Sequence, residues 1–84
     1  MIYQIEIKSS AHRELQRLPV SVQGRIVEHI DLLAMDPRPS GCKKLTGSTA
    51  YRIRVGAYRI VYDIQDNILL VLIVRIAHRS EVYR

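Results

Sequence analysis

Apolar and polar residues alternate from Tyr3 to Lys8, with Tyr3, Ile5 and Ile7 on one side and Gln4, Glu6 and Lys8 on the other. A period of two is that of a strand with one buried face, so the chain is expected to open with a strand. The period then lengthens. In AHRELQRL, Ala11, Leu15 and Leu18 share a helical face, Ser9 or Ser10 stands where an N-cap is wanted, and Pro19 ends the segment. No Glu or Gln follows either serine by three, so this helix has no capping box. A second helix is marked more strongly: Ser21 as cap, then Val22, Ile26, Ile30 and Leu33 in one stripe, widened by Val27, up to the loop sequence MDPRPSG. Two helices joined through Leu18-Pro19-Val20 are expected to form an antiparallel hairpin whose apolar stripes need a sheet to cover them.

Beyond Lys43-Lys44-Leu45-Thr46-Gly47, β-branched residues, tyrosine and leucine dominate. Three strands fit, over 51–55, 58–64 and 68–76, with turns at Gly56-Ala57 and around Gln65-Asp66-Asn67. The expected order is β-α-α-β-β-β, an α+β domain in which a two-helix hairpin packs on a small, mainly antiparallel sheet. The run ILLVLIV, from Ile68 to Val74, spans seven residues, too few to cross a bilayer, and reads as a buried strand.

The stretch YRIRVGAYRIVY places three arginines around one turn. With Gly56-Ala57 as a two-residue type II′ loop, Val55 lies opposite Tyr58 and the register follows by counting. Arg54 then faces Arg59, Ile53 faces Ile60, Arg52 faces Val61 and Tyr51 faces Tyr62. Arg52, Arg54 and Arg59 emerge on one side of the sheet, and Tyr51, Ile53, Val55, Tyr58, Ile60 and Tyr62 on the side turned to the helices. Two unit charges about 5 Å apart repel by roughly 1 kcal/mol in water and by more in a cleft, so an opposed arginine pair invites an anion. A solvated face that keeps a sheet edge soluble is the competing explanation. The tail, AHRSEVYR, tilts the balance, because His78, Arg79 and Tyr83 add an imidazole, a guanidinium and a phenol just past the last strand.

Eighty-four residues make one domain over 1–84, able to bury about 60–65% of the unfolded chain's surface. Thirteen Lys and Arg against eight Asp and Glu leave a net charge of +5, which points to an anionic partner. No basic amphipathic helix with a bulky apolar face suggests a membrane surface, and MIYQIEIKSS lacks the features of a signal peptide, so a cytoplasmic protein is expected. Cys42, the single cysteine, cannot form an internal disulfide and has no Cys or His at zinc-like spacing.

KKLTGS, YRIRVGAYRIVYDI and HRSEVYR, in this order behind a strand and two helices, resemble the RelE family of bacterial toxins over essentially the whole chain. The resemblance implies the microbial-ribonuclease-like fold and a metal-independent endoribonuclease that cuts messenger RNA in the A site of the 70S ribosome and thereby stops translation. In that reaction the 2′-hydroxyl of the mRNA attacks the adjacent phosphorus, leaving a 2′,3′-cyclic phosphate and a 5′-hydroxyl. Carried over by position, the implied site is Arg52 and Arg54, then Arg59, and Arg79 with Tyr83. Arg59 and Arg79 are the expected clamps on the transition state, since a guanidinium offers a fixed fork of donors and stays charged. Tyr83 either stacks on a base or accepts a proton. Certain members of the family carry lysine where this chain has Arg52 and Arg54, and arginine, with a pKa above about 12, cannot easily replace a lysine base. His78 is the chemical alternative, or else it hydrogen-bonds the strand end and shapes the site.

Lys43 and Lys44, with Arg52 and Arg54, are candidates for RNA phosphate contacts. Arg13, Arg17 and Arg25 read as solvent-face charges on the helices, and His12 and His29 as surface or helix-boundary residues. The implied partner is a small acidic RelB-like antitoxin that would engage DNA on the toxin's behalf. Two other readings stand beside this one: a ParE-like inhibitor of DNA gyrase with the same fold, and a catalytically silent RNA- or antitoxin-binding module.

Overall fold

The computed structural model describes residues 2–82. In chain order the elements are β1 (Gln4–Ile7), α1 (Ser9–Gln16), α2 (Val20–Met35), β2 (Lys43–Lys44), β3 (Ala50–Val55), β4 (Tyr58–Gln65), β5 (Leu70–His78) and α3 (Arg79–Val82). The five strands form one sheet in the order β1-β5-β4-β3-β2. Only β1 and β5 are parallel, and the other neighbours are antiparallel. The α+β arrangement is therefore the expected one, with two additions. Lys43 and Lys44 form a two-residue edge strand, and the start of the tail is helical. Both lie in segments too short for a hydrophobic period to register.

The core lies between the sheet and the two longer helices. Ala11 and Leu15 of α1 and Ile26, Ile30 and Leu33 of α2 meet Ile53, Val55, Ile60, Tyr62, Val71, Ile73 and Ile76. Val27, assigned to the same stripe from its spacing, is 42% exposed and stays outside. The stripe is narrower because α2 meets the sheet along one line of side chains.

Both helices start earlier than their serines suggest. Lys8 and Pro19 occupy the N-cap positions, neither with a side-chain hydrogen bond, so Ser9, Ser10 and Ser21 lie within the helices rather than capping them. Pro19 both ends the segment after α1 and precedes α2, consistent with its fixed φ and missing N–H. Gln23 bridges the connection by donating through Nε2 to the carbonyls of Leu18 at 2.8 Å and Gln16 at 3.2 Å.

The last strand also starts later than its composition suggests. Residues 66–68 make a 3-10 turn, Leu69 follows with φ of 53°, and the ladder begins at Leu70. Ile68 is exposed. Apolar character extended the run into the turn, but hydrogen bonding decides where pairing starts.

Two polar contacts tie the layers together. Beyond β1 the edge of β5 would leave N–H groups bare, and Glu14 of α1 covers it, accepting from the Ile76 N–H at 3.0 Å while holding the Arg75 guanidinium at 3.4 Å. At the other end, Arg38 donates to both carboxylate oxygens of Asp66, at 3.2 and 2.8 Å, and its guanidinium lies 5.3 Å from the Tyr51 ring centre. The Tyr3 hydroxyl donates to the same carboxylate. Arg38 first, and then Tyr3, hold the Asp66 carboxyl down from its ordinary 3.8 to about 2. These bonds join the segment after α2, the turn before β5 and the residue ahead of β1.

Candidate functional site

The β3–β4 hairpin has the register obtained by counting from the turn: Val55 opposite Tyr58, Arg54 opposite Arg59, Ile53 opposite Ile60, Arg52 opposite Val61 and Tyr51 opposite Tyr62. Gly56 has φ of +60° while Ala57 does not enter the left-handed region, the combination a type II′ loop requires. In a two-residue hairpin the pair flanking the loop exchanges both hydrogen bonds. The next pair, Arg54 and Arg59, is then the closer, non-bonded kind.

Tyr51, Ile53, Val55, Tyr58, Ile60 and Tyr62 lie in the core or pack against it. Tyr62 is fully buried, stacks with Tyr51 at 6.1 Å between ring centres, and donates its hydroxyl to the Pro37 carbonyl at 2.8 Å. Burial pushes the Tyr62 phenol well above its ordinary pKa. By strand alternation Arg52, Arg54 and Arg59 share the opposite face. Arg52 is 6% and Arg59 5% exposed, whereas Arg54 is open to solvent.

The lysine pair is divided by the pleat. Lys43 lies opposite Arg52 and joins the arginine face, while Lys44 lies opposite Tyr51 and belongs with the other side. Because β2 is two residues long, the outer edge of β3 has no strand beside it from Ile53 onward. A cavity of about 440 Å³ opens there, with Lys43, Arg52 and Arg54 on one wall and His29, Leu32 and Leu33 of α2 on the other.

Arg52 is the most unusual charge in this wall. The ion pairs among the described residues join Arg38 to Asp66 and Arg75 to Glu14, so the nearly buried Arg52 has no acidic partner there. Its guanidinium lines the cleft without a counter-charge, and an anion entering there would supply one.

Arg79 opens α3 beside the hairpin, its backbone N–H donating to the Ala57 carbonyl at 2.8 Å. Arg59 is itself opposite Ala77, two residues before Arg79. His78 is placed differently. It lies opposite Tyr58, on the helix-facing side, with its ring edge-on to the Tyr58 ring at 5.5 Å and Nδ1 within 2.9 Å of the Ser80 hydroxyl. The register thus separates His78 from the arginine face, because an odd step along β5 reverses the side. Tyr83 lies outside the described residues.

Two cations gain a position that their spacing did not reveal. Arg25 reaches from α2 over the hairpin loop, so that a Cβ on Gly56 would lie 2.9 Å from its Nη2. Arg75 falls opposite Val61, in the cross-strand row that also holds Arg52. A bulge between Val61 and Tyr62 shifts this register, and no count from the turn anticipates it.

The domain is thus a small α+β fold with an arginine-lined sheet face and a cationic cleft at its edge. Residues 5–83 match the family described as ParE toxin of type II toxin–antitoxin system, parDE. Toxin RelG of Mycobacterium tuberculosis is 32% identical over 100% of this chain and 99% of its own. Toxin RelE of the same organism is 38% identical over 98% of this chain and 87% of its own. The solved toxin–antitoxin complex RelBE2 from Mycobacterium tuberculosis superposes with a TM-score of 0.85 at 29% identity, covering 94% of this chain and 100% of that one. The chain belongs to the RelE family of toxins, within the RelE/ParE group of type II toxin–antitoxin systems.

Proposed function

We propose that this toxin is a ribosome-dependent mRNA endoribonuclease, acting in the A site by attack of the mRNA 2′-hydroxyl on the neighbouring phosphorus. The observation that carries the reading is Arg52, a nearly buried guanidinium with no acidic partner among the described residues, set between Lys43 and Arg54 in a cleft wall. A phosphodiester supplies the missing charge. As the P–O bond to the 2′-oxygen forms and the bond to the 5′-oxygen breaks, negative charge gathers on the non-bridging oxygens, where fixed guanidinium donors are most effective. Arg52 and Arg54 seat the phosphate, and Arg59 and Arg79 brace the transition state. Tyr83 stacks on a base or accepts the 2′-hydroxyl proton. The second role requires nearby guanidinium groups to lower its pKa. His78, held by Ser80 and Tyr58, shapes the end of β5.

The partner in this reading is an acidic RelB-like antitoxin, in keeping with the toxin–antitoxin complex named above. The cleft beside α2 suits such a chain, since Leu32, Leu33 and Ile53 offer apolar contact next to Lys43 and Arg54. The toxin acts in the cytoplasm, where ribosomes are.

Primer extension on programmed ribosomes tests the proposal. The expected result is cuts within A-site codons, abolished in Arg59→Ala and Arg79→Ala while antitoxin binding persists. Undiminished cutting by both variants would defeat the site assignment. The ParE description of the matched family favours one other target, DNA gyrase. Gyrase-dependent DNA breaks without mRNA cuts would establish that reading instead.

A further inference from the structure

We infer that the depression between α1 and β5 is a second seat for RNA phosphates, continuous with the arginine face. It has a volume of about 550 Å³, and Lys8, Arg13, Arg17 and Arg75 line it with Glu14 and Val74. Four cations from three parts of the chain thus open onto one hollow. Glu14, its only acid, is committed to the Arg75 guanidinium and the Ile76 N–H. Among the described residues no ion pair involves Lys8, Arg13 or Arg17.

The carbonyl end of α1 accounts in part for Arg13 and Arg17, because cations near a helix C-terminus are favoured. It does not account for Lys8, ahead of that helix, or for Arg75 on a different element. What connects the hollow to the site is strand register. Lys43, Arg52, Val61 and Arg75 stand directly opposite one another across β2, β3, β4 and β5. Arg75 is therefore two strand spacings, roughly 10 Å, from Arg52. A polyanion seated at Arg52 therefore has the next group of cations about two strand spacings away.

The lining also selects the class of ligand. Val74 is its one apolar residue, whereas the cleft beside α2 presents Leu32, Leu33, Pro39 and Ile53. A protein partner draws on an apolar centre within its interface, and a phosphate backbone needs only cations. The hollow suits the second.

The inference rests on the RNA-binding part of the proposed function and not on cleavage. The test is binding of a single-stranded 2′-O-methyl RNA oligonucleotide, which cannot be cut by 2′-hydroxyl attack, to the full chain over a range of salt. Arg13→Gln and Arg17→Gln are the variants, both at exposed positions, and Arg25→Gln, at an exposed position of α2 away from the hollow, is the charge-matched control. Each of the Arg13 and Arg17 variants is expected to lower the slope of log K against log salt by about 0.7, and to weaken binding roughly fivefold at 0.1 M salt, while the control does neither. On programmed ribosomes the same variants should raise the toxin concentration needed for half-maximal cleavage and leave the saturated rate unchanged. Variants of Arg13 and Arg17 that match Arg25→Gln in slope and affinity would overturn the inference. So would normal RNA binding combined with lost binding to the antitoxin, which would assign the hollow to protein. Failure of wild-type cleavage would sink the nuclease reading while leaving the oligonucleotide result to stand or fall alone.

Discussion

Arg54 and Arg59 face each other across the β3–β4 hairpin, one pair beyond the turn, with no acidic residue in either partner position. A directly opposed like-charged pair is destabilising, and here the hairpin register prevents either residue from moving to another partner. Long side chains splay and solvent screens the exposed Arg54, so the residual repulsion is a few tenths to about 1 kcal/mol. Arg54→Thr should therefore raise the unfolding free energy by that amount at low salt, with the gain shrinking as salt increases. Denaturant melts at two ionic strengths measure it. A loss of stability would mean that Arg54 is held by favourable contacts.

The Asp66 carboxyl should govern stability at acid pH. Its folded-state pKa, about 2, is below its ordinary 3.8, so its contribution is present above 3.8 and lost as pH falls through about 2. Melting temperatures taken between pH 4.5 and 2 should fall less steeply for Asp66→Asn than for the wild type, because the variant has already lost that contribution. Parallel curves would exclude the Arg38–Asp66 contact as a source of stability.

Gly56→Ala separates two possible penalties at the hairpin. The new Cβ would meet Arg25 Nη2 at 2.9 Å, but that atom ends a flexible side chain. The φ of +60° is the harder constraint and should cost about 1–3 kcal/mol. A double-mutant cycle with Arg25→Ala decides between them. Backbone strain predicts no rescue, whereas recovery of stability would point to the side-chain contact.

Tyr62→Phe should cost about 1 kcal/mol or somewhat more, since it leaves the Pro37 carbonyl without its buried donor while retaining the ring. Tyr62→Ala should cost about 3–5 kcal/mol, as large cavities in cores do. Equal effects of the two substitutions, measured by denaturant unfolding, would contradict the assignment of most of the contribution to ring packing.

Local pattern carried much of this molecule. The alternation in Tyr3 to Lys8, the stripe of Ile26, Ile30 and Leu33, and the Gly56-Ala57 turn each specify an element through contacts only a few residues long. The hairpin register followed as well, because a two-residue loop leaves one way to pair its flanks and so determines that Arg52, Arg54 and Arg59 share a face. The basic character of that face was legible for the same reason.

Long-range packing decided the rest. The division of Lys43 from Lys44, the placement of His78 with Tyr58, and the row from Arg52 to Arg75 all depend on pairings between segments distant in the chain, one of them shifted by a bulge. The near-burial of Arg52 likewise has no local signature, because the same residue in an isolated hairpin would be solvated. By itself, then, the sequence determined which side chains alternate and where the chain turns, since those are short-range properties. Which cations meet, and which lose their water, was settled only when strands and helices came together.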